Sequence, residues 1–254
     1  MSKKCTPFIL IIHWFINMAN IIFLLPPSEG KNSWWYIWKQ DLSFRFNKPI
    51  DIASKATEKD LKCTGARFFQ WIKLNKSIEN KEKLLLPAIE RYSWVMFKAI
   101  DYSDMNTDEK IFFQNKFLIL SGMYGVLRPL DLIGNYKLPI ETKGLYEFWW
   151  TQMLQIFNDL QPHYVVNLLP ISYAKLILWK NKTQSTIFNE KRKFTVININ
   201  FLKAEGSKIS HWVKKVKGKW IQDICNKKIS DYRDFWGIIV ENDDNTIDIN
   251  ITVD

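Results

Sequence analysis

Residues 120–133 read Leu-Ser-Gly-Met-Tyr-Gly-Val-Leu-Arg-Pro-Leu-Asp-Leu-Ile, so two glycines, an arginine, a proline and an aspartate interrupt a largely apolar run. Gly122 and Gly125 add no side chain to a core and lose more conformational entropy on folding than other residues. They therefore predict a sharp turn or a close approach to the backbone. The proline after Arg128 restricts the backbone on both sides, which places Arg128 and Asp131 on a stiff loop. The two side chains either form an ion pair that closes a turn or face a ligand.

This stretch closely resembles the most characteristic motif of the YaaA family, the bacterial peroxide-stress proteins. Further segments resemble motifs of the same family in the same order: 25–31 (LPPSEGK), 65–71 (GARFFQW), 136–138, 145–149, 166–168 with Tyr173 and Lys175, and 209–210 with 214–218. The resemblance covers about residues 19–240 and implies a fold peculiar to that family. Three positions depart from the usual pattern of the family, namely Trp94 for glycine, Lys217 for arginine and Trp212 for tyrosine.

The composition is that of a folded, basic protein. The chain has 254 residues, of which 47% are hydrophobic and 24% charged, and it carries a formal net charge of +10. That length is sufficient to bury a sizeable core. The positive charge favours polyanionic partners, either nucleic acid or an acidic membrane surface. A lysine-rich and asparagine-rich composition is also typical of proteins from AT-rich genomes.

The cysteines and histidines are few and scattered. Without paired spacing, they predict neither a disulfide framework nor a tight metal site, and they favour a reducing compartment. We therefore predict a cytoplasmic protein with no cofactor. The resemblance implies a role in keeping intracellular iron low during peroxide stress, which would then be an indirect effect on iron homeostasis. The cysteines in question are Cys5, Cys63 and Cys225, and the histidines are His13, His163 and His211.

The first 17 residues lie outside the family resemblance. Two lysines near the start, Lys3 and Lys4, precede an apolar run, as in a signal peptide. Polar residues interrupt this run, which extends beyond residue 17, and the pair Pro26-Pro27 ends it. We predict that residues 1–17 are an appendage and that residues 18–254 form the family domain. A membrane association through residues 1–25 is the less favoured alternative.

The remainder of the chain predicts a single compact α/β domain in which a mixed sheet is covered by helices. Short apolar runs bounded by turn residues predict strands at 21–25, 117–120, 164–168, 193–202 and 236–240. Longer periodic segments predict helices at 52–61, 66–74, 86–100, 108–115, 144–160, 173–179 and 209–226.

The loop at residues 26–31 follows the first predicted strand, where open α/β sheets bind their ligands. It contains Ser28, Glu29, Gly30 and Lys31, and a glycine beside a lysine at a strand end can hold a phosphate. The spacing is not that of a P-loop, and a solvated turn is the alternative. Lys31 is the residue we expect to be functional.

Residues 53–73 predict a short helix, a turn and a second helix, as in a helix-hairpin-helix unit. Such units contact a DNA phosphate through the turn and through the amino terminus of the second helix. The match is weak on its own because the turn has a single glycine. The family resemblance implies double-stranded DNA binding through such a unit, with Lys62, Gly65 and Arg67 as the phosphate contacts.

Residues 208–219 place several lysines on the flanks of an apolar helical stripe. Lys214, Lys215, Lys217 and Gly218 match a basic motif of the family, although a charge run of this kind is usually a solvated helix face. With Arg128, Lys137 and Lys175 these lysines could line one positive groove.

The family resemblance and the basic segments together imply a peroxide-stress protein that binds double-stranded DNA non-specifically. A lysine-dependent enzyme acting on nucleic acid or a phosphorylated small molecule is the alternative, with Lys31, Lys175, Arg128 and Asp131 as the catalytic candidates. Asn167 and Tyr173 either orient a ligand or cap a strand. The full set of predicted cleft residues is Ser28, Glu29, Gly30, Lys31, Ser121, Gly122, Tyr124, Gly125, Arg128, Pro129, Asp131, Asn167, Tyr173 and Lys175.

Overall fold

The computed structural model of the protein describes residues 20–38, 42–78, 83–177, 193–207, 209, 212–242 and 245–253. The strands are β1 (Ile21–Leu25), β2 (Tyr36–Trp38), β3 (Lys83–Pro87), β4 (Phe117–Ser121), β5 (Gly125–Leu127), β6 (Leu132–Ile133), β7 (Tyr164–Asn167), β8 (Thr195–Leu202), β9 (Ile238–Asn242) and β10 (Thr246–Thr252). The helices are α1 (Ile50–Lys55), α2 (Glu58–Leu61), α3 (Gly65–Ser77), α4 (Ala88–Arg91), α5 (Val95–Ile100), α6 (Thr107–Lys116), α7 (Leu145–Leu160), α8 (Ile171–Ala174) and α9 (Val213–Lys227).

Seven strands form the main sheet, in the order β5-β4-β1-β7-β8-β10-β9. The five inner strands are parallel to one another, and β5 and β9 pair antiparallel at the two edges. All residues of β1 and β4 are buried, as expected of apolar strands that helices cover on both faces. The predicted mixed α/β fold is therefore confirmed.

The order of the inner strands creates a switch point in the sheet. From β1 the chain moves to one side to form β4, and it then continues on the other side of β1 with β7, β8 and β10. In open α/β sheets, ligands bind beyond the carboxyl ends of the strands where the direction of winding reverses. Here that place is the crevice between the ends of β1 and β7.

A second, three-stranded sheet of order β2-β3-β6 is antiparallel. The helix predicted over 86–100 is correct only in part, because Leu86 and Pro87 belong to β3 and the helical residues form two short helices. Pro87 lacks the amide hydrogen that a helix interior needs, and an extended Tyr92 separates the two short helices α4 and α5. Sequence analysis also missed β10, and the single helix predicted over 52–61 divides at Ala56, which is extended.

The core between the sheet and its helices is rich in aromatic rings. Phe23 stacks on Phe117 with ring centroids 4.5 Å apart, and Trp220 of α9 contacts Phe235 edge-on at 5.2 Å. Helix α9 packs so closely on α5 that a Cβ at Gly218 would lie 2.5 Å from the carbonyl oxygen of Met96. Gly218 therefore allows two helices to approach each other.

In the part of the chain that the structure describes, no helix combines the length and apolar character needed to span a bilayer. The N-terminal segment 1–17 lies outside the described residues, as do Lys208, Ser210 and His211 of the predicted basic helix.

Candidate functional site

A cleft of about 460 Å³ lies at the carboxyl ends of β1 and β7. Its walls are the loop after β1, the segment after β7, the start of α5, the amino-terminal turns of α9 and the segment before α7. The cleft therefore occupies the switch point of the sheet, where the strand order predicts a ligand site.

Lys31 lies in the wall of this cleft and is held by backbone pairing. Its backbone forms an isolated antiparallel bridge with Tyr92, flanked by hydrogen bonds from the Asn32 amide to the Arg91 carbonyl (2.9 Å) and from the Ser93 amide to the Gly30 carbonyl (3.1 Å). A loop that follows β1 is thereby fixed to the segment that follows α4.

The Lys31 ammonium is enclosed by protein. Its Nζ donates to the Ser28 carbonyl at 2.8 Å and lies 4.5 Å from the ring centroid of Tyr136 and 5.5 Å from that of Tyr92. Burial and the positive charges of Lys137 and Arg91 lower the pKa of Lys31 from 10.5 to about 7, although Glu29 acts in the opposite direction. Lys31 therefore loses its proton far more readily than an exposed lysine does.

A chain of buried hydroxyl groups lies beneath Lys31. The Tyr136 hydroxyl shares hydrogen bonds with Tyr92 (2.7 Å) and with Ser121 Oγ (2.8 Å). Because Ser121 Oγ already accepts from the amides of Met123 and Tyr124, its own hydrogen is directed to Tyr136. Burial raises the pKa of Tyr136 to about 12 and that of Tyr92 well above its usual value, so both remain protonated.

A second lysine with a largely buried ammonium group also lines the cleft. Lys217, on the second turn of α9, donates from Nζ to the Leu168 carbonyl at 2.9 Å. Burial lowers its pKa from 10.5 to about 8. Nearby on α9, the exposed Lys214 has its Nζ 6.0 Å from the ring centroid of Trp94.

Gly30 explains how Trp94 covers the loop after β1. A Cβ at Gly30 would lie 1.8 Å from atoms of the Trp94 indole, so only glycine leaves room for this ring. The Trp94 amide donates to Ser28 Oγ at 3.3 Å, which fixes the start of α5 to the same loop.

Residues 120–133 pack against neighbouring elements, among them the segment that contributes Tyr136 and Leu138 to the cleft wall. A Cβ at Gly122 would lie 2.1 Å from the Leu138 carbonyl oxygen, and one at Gly125 would lie 2.5 Å from the Trp149 ring. Trp149 Nε1 also donates to the Gly122 carbonyl at 2.8 Å. The two glycines thus permit a close approach of the backbone to neighbouring elements, while Tyr124 contacts Tyr136 edge-on at 5.5 Å.

Arg128 and Asp131 fasten the loop on which they lie. Arg128 Nη1 donates to the carbonyls of Gln114 (3.0 Å) and Asn115 (2.9 Å) near the end of α6. Asp131 accepts from the Arg128 amide at 2.8 Å and from Ser43, and burial raises its pKa. The carbonyl of Pro129 accepts from the Ile89 amide at 2.9 Å.

The predicted hairpin borders the cleft at Lys62. Lys62 has a left-handed backbone (φ 52°) between α2 and α3, and its side chain contributes to the cleft wall. The amide of Gly65, at the amino terminus of α3, donates to Glu58 Oε1 at 3.0 Å. A carboxylate of this chain therefore occupies the position at which a helix amino terminus would receive a phosphate.

The end of β7 carries Asn167, which accepts from the Leu169 amide at 3.1 Å and donates to Asn198 at 2.9 Å. These bonds tie the strand end to β8. Tyr173 of α8 is buried in the cleft wall, and burial raises its pKa.

The structure brings only part of the predicted set together. The predicted residues that line the cleft are Ser28, Glu29, Lys31, Lys62, Lys137, Tyr173, Lys214 and Lys217. Those that lie outside its lining are Gly30, Gly65, Arg67, Ser121, Gly122, Tyr124, Gly125, Arg128, Pro129, Asp131, Asn167, Lys175, Lys215 and Gly218.

Sequence analysis missed the contributions of Tyr92, Arg91 and Glu141. The first two act through contacts with residues far away in the chain, and no local pattern marks them. Arg91 is 1% exposed and donates to the carbonyls of Asn32, Trp34 and Leu84, so it ties the loop after Lys31 to β3. Glu141 joins Glu29 as an acidic residue of the cleft wall.

The described residues contain no group of histidine, cysteine and carboxylate side chains that could hold a metal ion. The arrangement that they do contain is a pocket with two lysines whose ammonium groups are largely buried, three tyrosines in or next to its wall, and three further lysines.

The fold and the cleft define an open α/β protein with a cleft at the switch point of its parallel sheet. A family model described as "Peroxide stress protein YaaA" matches residues 21–242, and the chain therefore belongs to this family.

Curated relatives agree with that assignment. A UPF0246 protein of Crocosphaera subtropica is 28% identical over 216 residues, which cover 77% of this chain and 82% of the relative. One of Shewanella baltica is 30% identical over 195 residues, covering 72% of this chain and 71% of the relative. A UPF0246 protein of Fusobacterium nucleatum is 30% identical over 165 residues, and that match spans 62% of the relative's length.

Proposed function

We propose that this protein binds double-stranded DNA through its phosphate backbone, with little preference for sequence, and that it supports the peroxide response of its family by acting at DNA. The observation that carries this proposal is the convergence of lysines from separate segments on one cleft. Lys62 comes from the hairpin, Lys137 from the segment before α7, and Lys214 from α9.

The balance of charge in the cleft supports an anionic ligand. Among the described residues of its wall, lysine outnumbers glutamate by five to two, and Lys31 and Lys217 lie deepest in protein. Phosphate contacts of this kind position a duplex and contribute affinity without reading bases. The affinity then comes largely from the release of counterions and falls steeply with salt.

The hairpin is the second part of the proposed interface. Lys62 and Arg67 are both exposed, and the amino terminus of α3 offers backbone donors. Since Glu58 holds the Gly65 amide in the free protein, a phosphate must displace this carboxylate before it can bind there. We therefore assign the larger share of phosphate binding to the side chains of Lys62 and Arg67.

Helix α9 provides a matched pair of variants for the test. Lys214 and Lys227 are both exposed, but the first lies at the cleft and the second about 20 Å farther along the helix, at 1.5 Å per residue. Lys214→Ala and Lys227→Ala remove the same charge from the same helix, so net charge alone cannot distinguish them.

Fluorescence anisotropy of a labelled duplex, titrated at several salt concentrations, measures the affinity of each variant. We expect Lys214→Ala to weaken binding and to reduce the slope of log K against log salt by about 0.9. Lys227→Ala should retain the wild-type slope, and duplexes of different sequence should bind alike. Equal losses in both variants, or no binding at low salt, would contradict the proposal.

A further inference from the structure

We propose that Lys31 is a catalytic nucleophile that forms an imine with the carbonyl carbon of an aldehyde or ketone bearing a phosphate group. This activity uses the same cleft as the proposed DNA binding but does not depend on it, because a free sugar phosphate and an abasic sugar within DNA present the same chemistry.

The position of Lys31 meets the first requirement of imine formation, which is a neutral amine facing a cavity. The Nζ atom has the Ser28 carbonyl as its hydrogen-bond partner, and no ion pair among the described residues includes it. The cations of Lys137 and Arg91 act on it from nearby. Both the burial and the neighbouring positive charge favour loss of a proton, as in known lysine nucleophiles.

The surroundings of Lys31 also limit how its amine can move. The backbone bridge to Tyr92 fixes the main chain, and the rings of Tyr92 and Tyr136 lie beside Nζ at centroid distances of 5.5 and 4.5 Å. A lysine that merely bound phosphate at the surface would gain nothing from such enclosure. A pre-positioned amine reduces the entropy lost on reaching the carbonyl carbon.

The chemistry balances without any redox partner. The Nζ lone pair forms a bond to the carbonyl carbon and the carbonyl π electrons move to oxygen. That oxygen takes up a proton and the nitrogen gives one up, which leaves a neutral carbinolamine with its nitrogen lone pair restored. The hydroxyl group then leaves as water with a second proton, while the nitrogen lone pair forms the C=N bond of a protonated imine. The net change is the conversion of an ammonium and a carbonyl compound to an iminium and water.

Acid and base groups for the proton transfers lie in the same wall. Glu29 and Glu141 line the cleft, and the Tyr136 hydroxyl belongs to the buried hydrogen-bonded chain. A positioned carboxyl group or phenol can deliver the proton that the departing hydroxyl needs.

The remaining lysines of the cleft indicate that the carbonyl substrate also carries a phosphate group. Lys62, Lys137, Lys214 and Lys217 line the cavity together with Lys31. Once Lys31 has reacted, these four positive groups still face the ligand, so a phosphate beside the carbonyl is the complementary anion. A cleft of about 460 Å³ is large enough for a sugar phosphate.

Trapping with sodium borohydride tests the proposal on the full-length protein. Hydride adds to the iminium carbon and leaves a stable secondary amine, which mass spectrometry of the intact chain and its peptides locates. One arm uses glyceraldehyde 3-phosphate at pH 7, a second uses unphosphorylated glyceraldehyde, and a third uses a duplex that contains one abasic site.

We expect a single adduct per chain, located on Lys31, and at least tenfold more labelling there than at the exposed Lys227. The reason is that an ordinary lysine is almost fully protonated at pH 7. Phosphorylated glyceraldehyde should react faster than the unphosphorylated form, and inorganic phosphate should inhibit. Adduct with the abasic duplex would identify DNA as the source of the carbonyl, whereas adduct with the small aldehyde alone would identify a free metabolite.

Lys31→Met should lose the adduct and Lys227→Met should retain it. Because the peptide is identified in the wild-type protein, the test does not depend on the folding of the variant. Labelling spread over exposed lysines, labelling on Lys217 in place of Lys31, or none above background would overturn the proposal. A duplex that binds in the anisotropy assay without any adduct would overturn this inference alone and leave the proposed DNA binding intact.

Discussion

Replacing Lys31 by methionine should make the folded protein more stable at neutral and acidic pH. The pKa of Lys31 is about 7 in the folded protein and about 10.5 when the chain is unfolded. Between these values the unfolded chain binds a proton that the folded chain lacks, so stability rises with pH in this interval. Below pH 7 the full penalty of charging a buried lysine is present, and it is lost as the pH rises toward 10.5.

The size of the effect follows from the two pKa values. A tenfold change in proton affinity corresponds to about 1.4 kcal/mol, so the penalty reaches about 5 kcal/mol well below pH 7. At pH 9 the remaining penalty is about 2 kcal/mol by the same conversion. Methionine lacks the hydrogen bond to the Ser28 carbonyl, which removes about 1 kcal/mol from the gain at every pH. Part of the Lys31 side chain faces the cleft, so these values are upper bounds.

Urea unfolding of wild type and Lys31→Met at pH 6 and pH 9 measures both quantities, with Lys227→Met as the control for an exposed lysine. The stability advantage of Lys31→Met should be largest at pH 6 and smaller by about 2–3 kcal/mol at pH 9. Lys217 contributes equally to both proteins and cancels in the difference. An advantage independent of pH, or a loss of stability at pH 6, would refute the account of Lys31 as a charge buried without an ion pair.

Three further substitutions test other parts of the structure. Gly122→Ala should lower the free energy of unfolding by about 1–3 kcal/mol or more, since its Cβ would lie 2.1 Å from the Leu138 carbonyl oxygen, and urea midpoints measure this. Arg128→Ala should lower the free energy of unfolding by about 1–3 kcal/mol, because it loses its hydrogen bonds to two carbonyls of α6. The folded fraction of this variant should bind duplex DNA as wild type does. Loss of DNA binding without loss of stability would contradict this prediction. Glu58→Gln should tighten duplex binding about two- to fivefold at low salt, in anisotropy titrations, because a neutral side chain no longer repels a phosphate at Gly65; weaker binding would exclude this helix terminus from the interface.

The sequence predicted the centre of the fold because its strands are continuous apolar runs. Strand β1 has the bounds that the pattern indicates, and β4 and β7 differ from their predicted bounds by one residue at an end. The second sheet could not be predicted in this way. Its strand β3 contains three successive leucines before a proline, and an apolar run of that length fits a buried helix as well as a strand.

The candidate site was predicted in part for a similar reason. Position after a strand end identified Lys31, and the lysines of α9 were visible as a cluster. The enclosure of the Lys31 ammonium was not visible, because the rings of Tyr92 and Tyr136 reach it only through the pairing of distant segments. For Arg128 and Asp131, the sequence left an ion pair and a ligand contact open, and the structure instead directs Arg128 to helix carbonyls and Asp131 to backbone amides and Ser43.

Lysine footprinting of the protein on DNA tests the central claim most directly. The protein is labelled with an amine-reactive reagent in the absence and presence of a saturating duplex, and the modified lysines are quantified by peptide mass spectrometry. We expect Lys62, Lys137 and Lys214 to be protected, while Lys227, at the far end of α9, labels at the same rate in both samples. Protection of Lys227 equal to that of the cleft lysines would contradict a DNA site at the cleft.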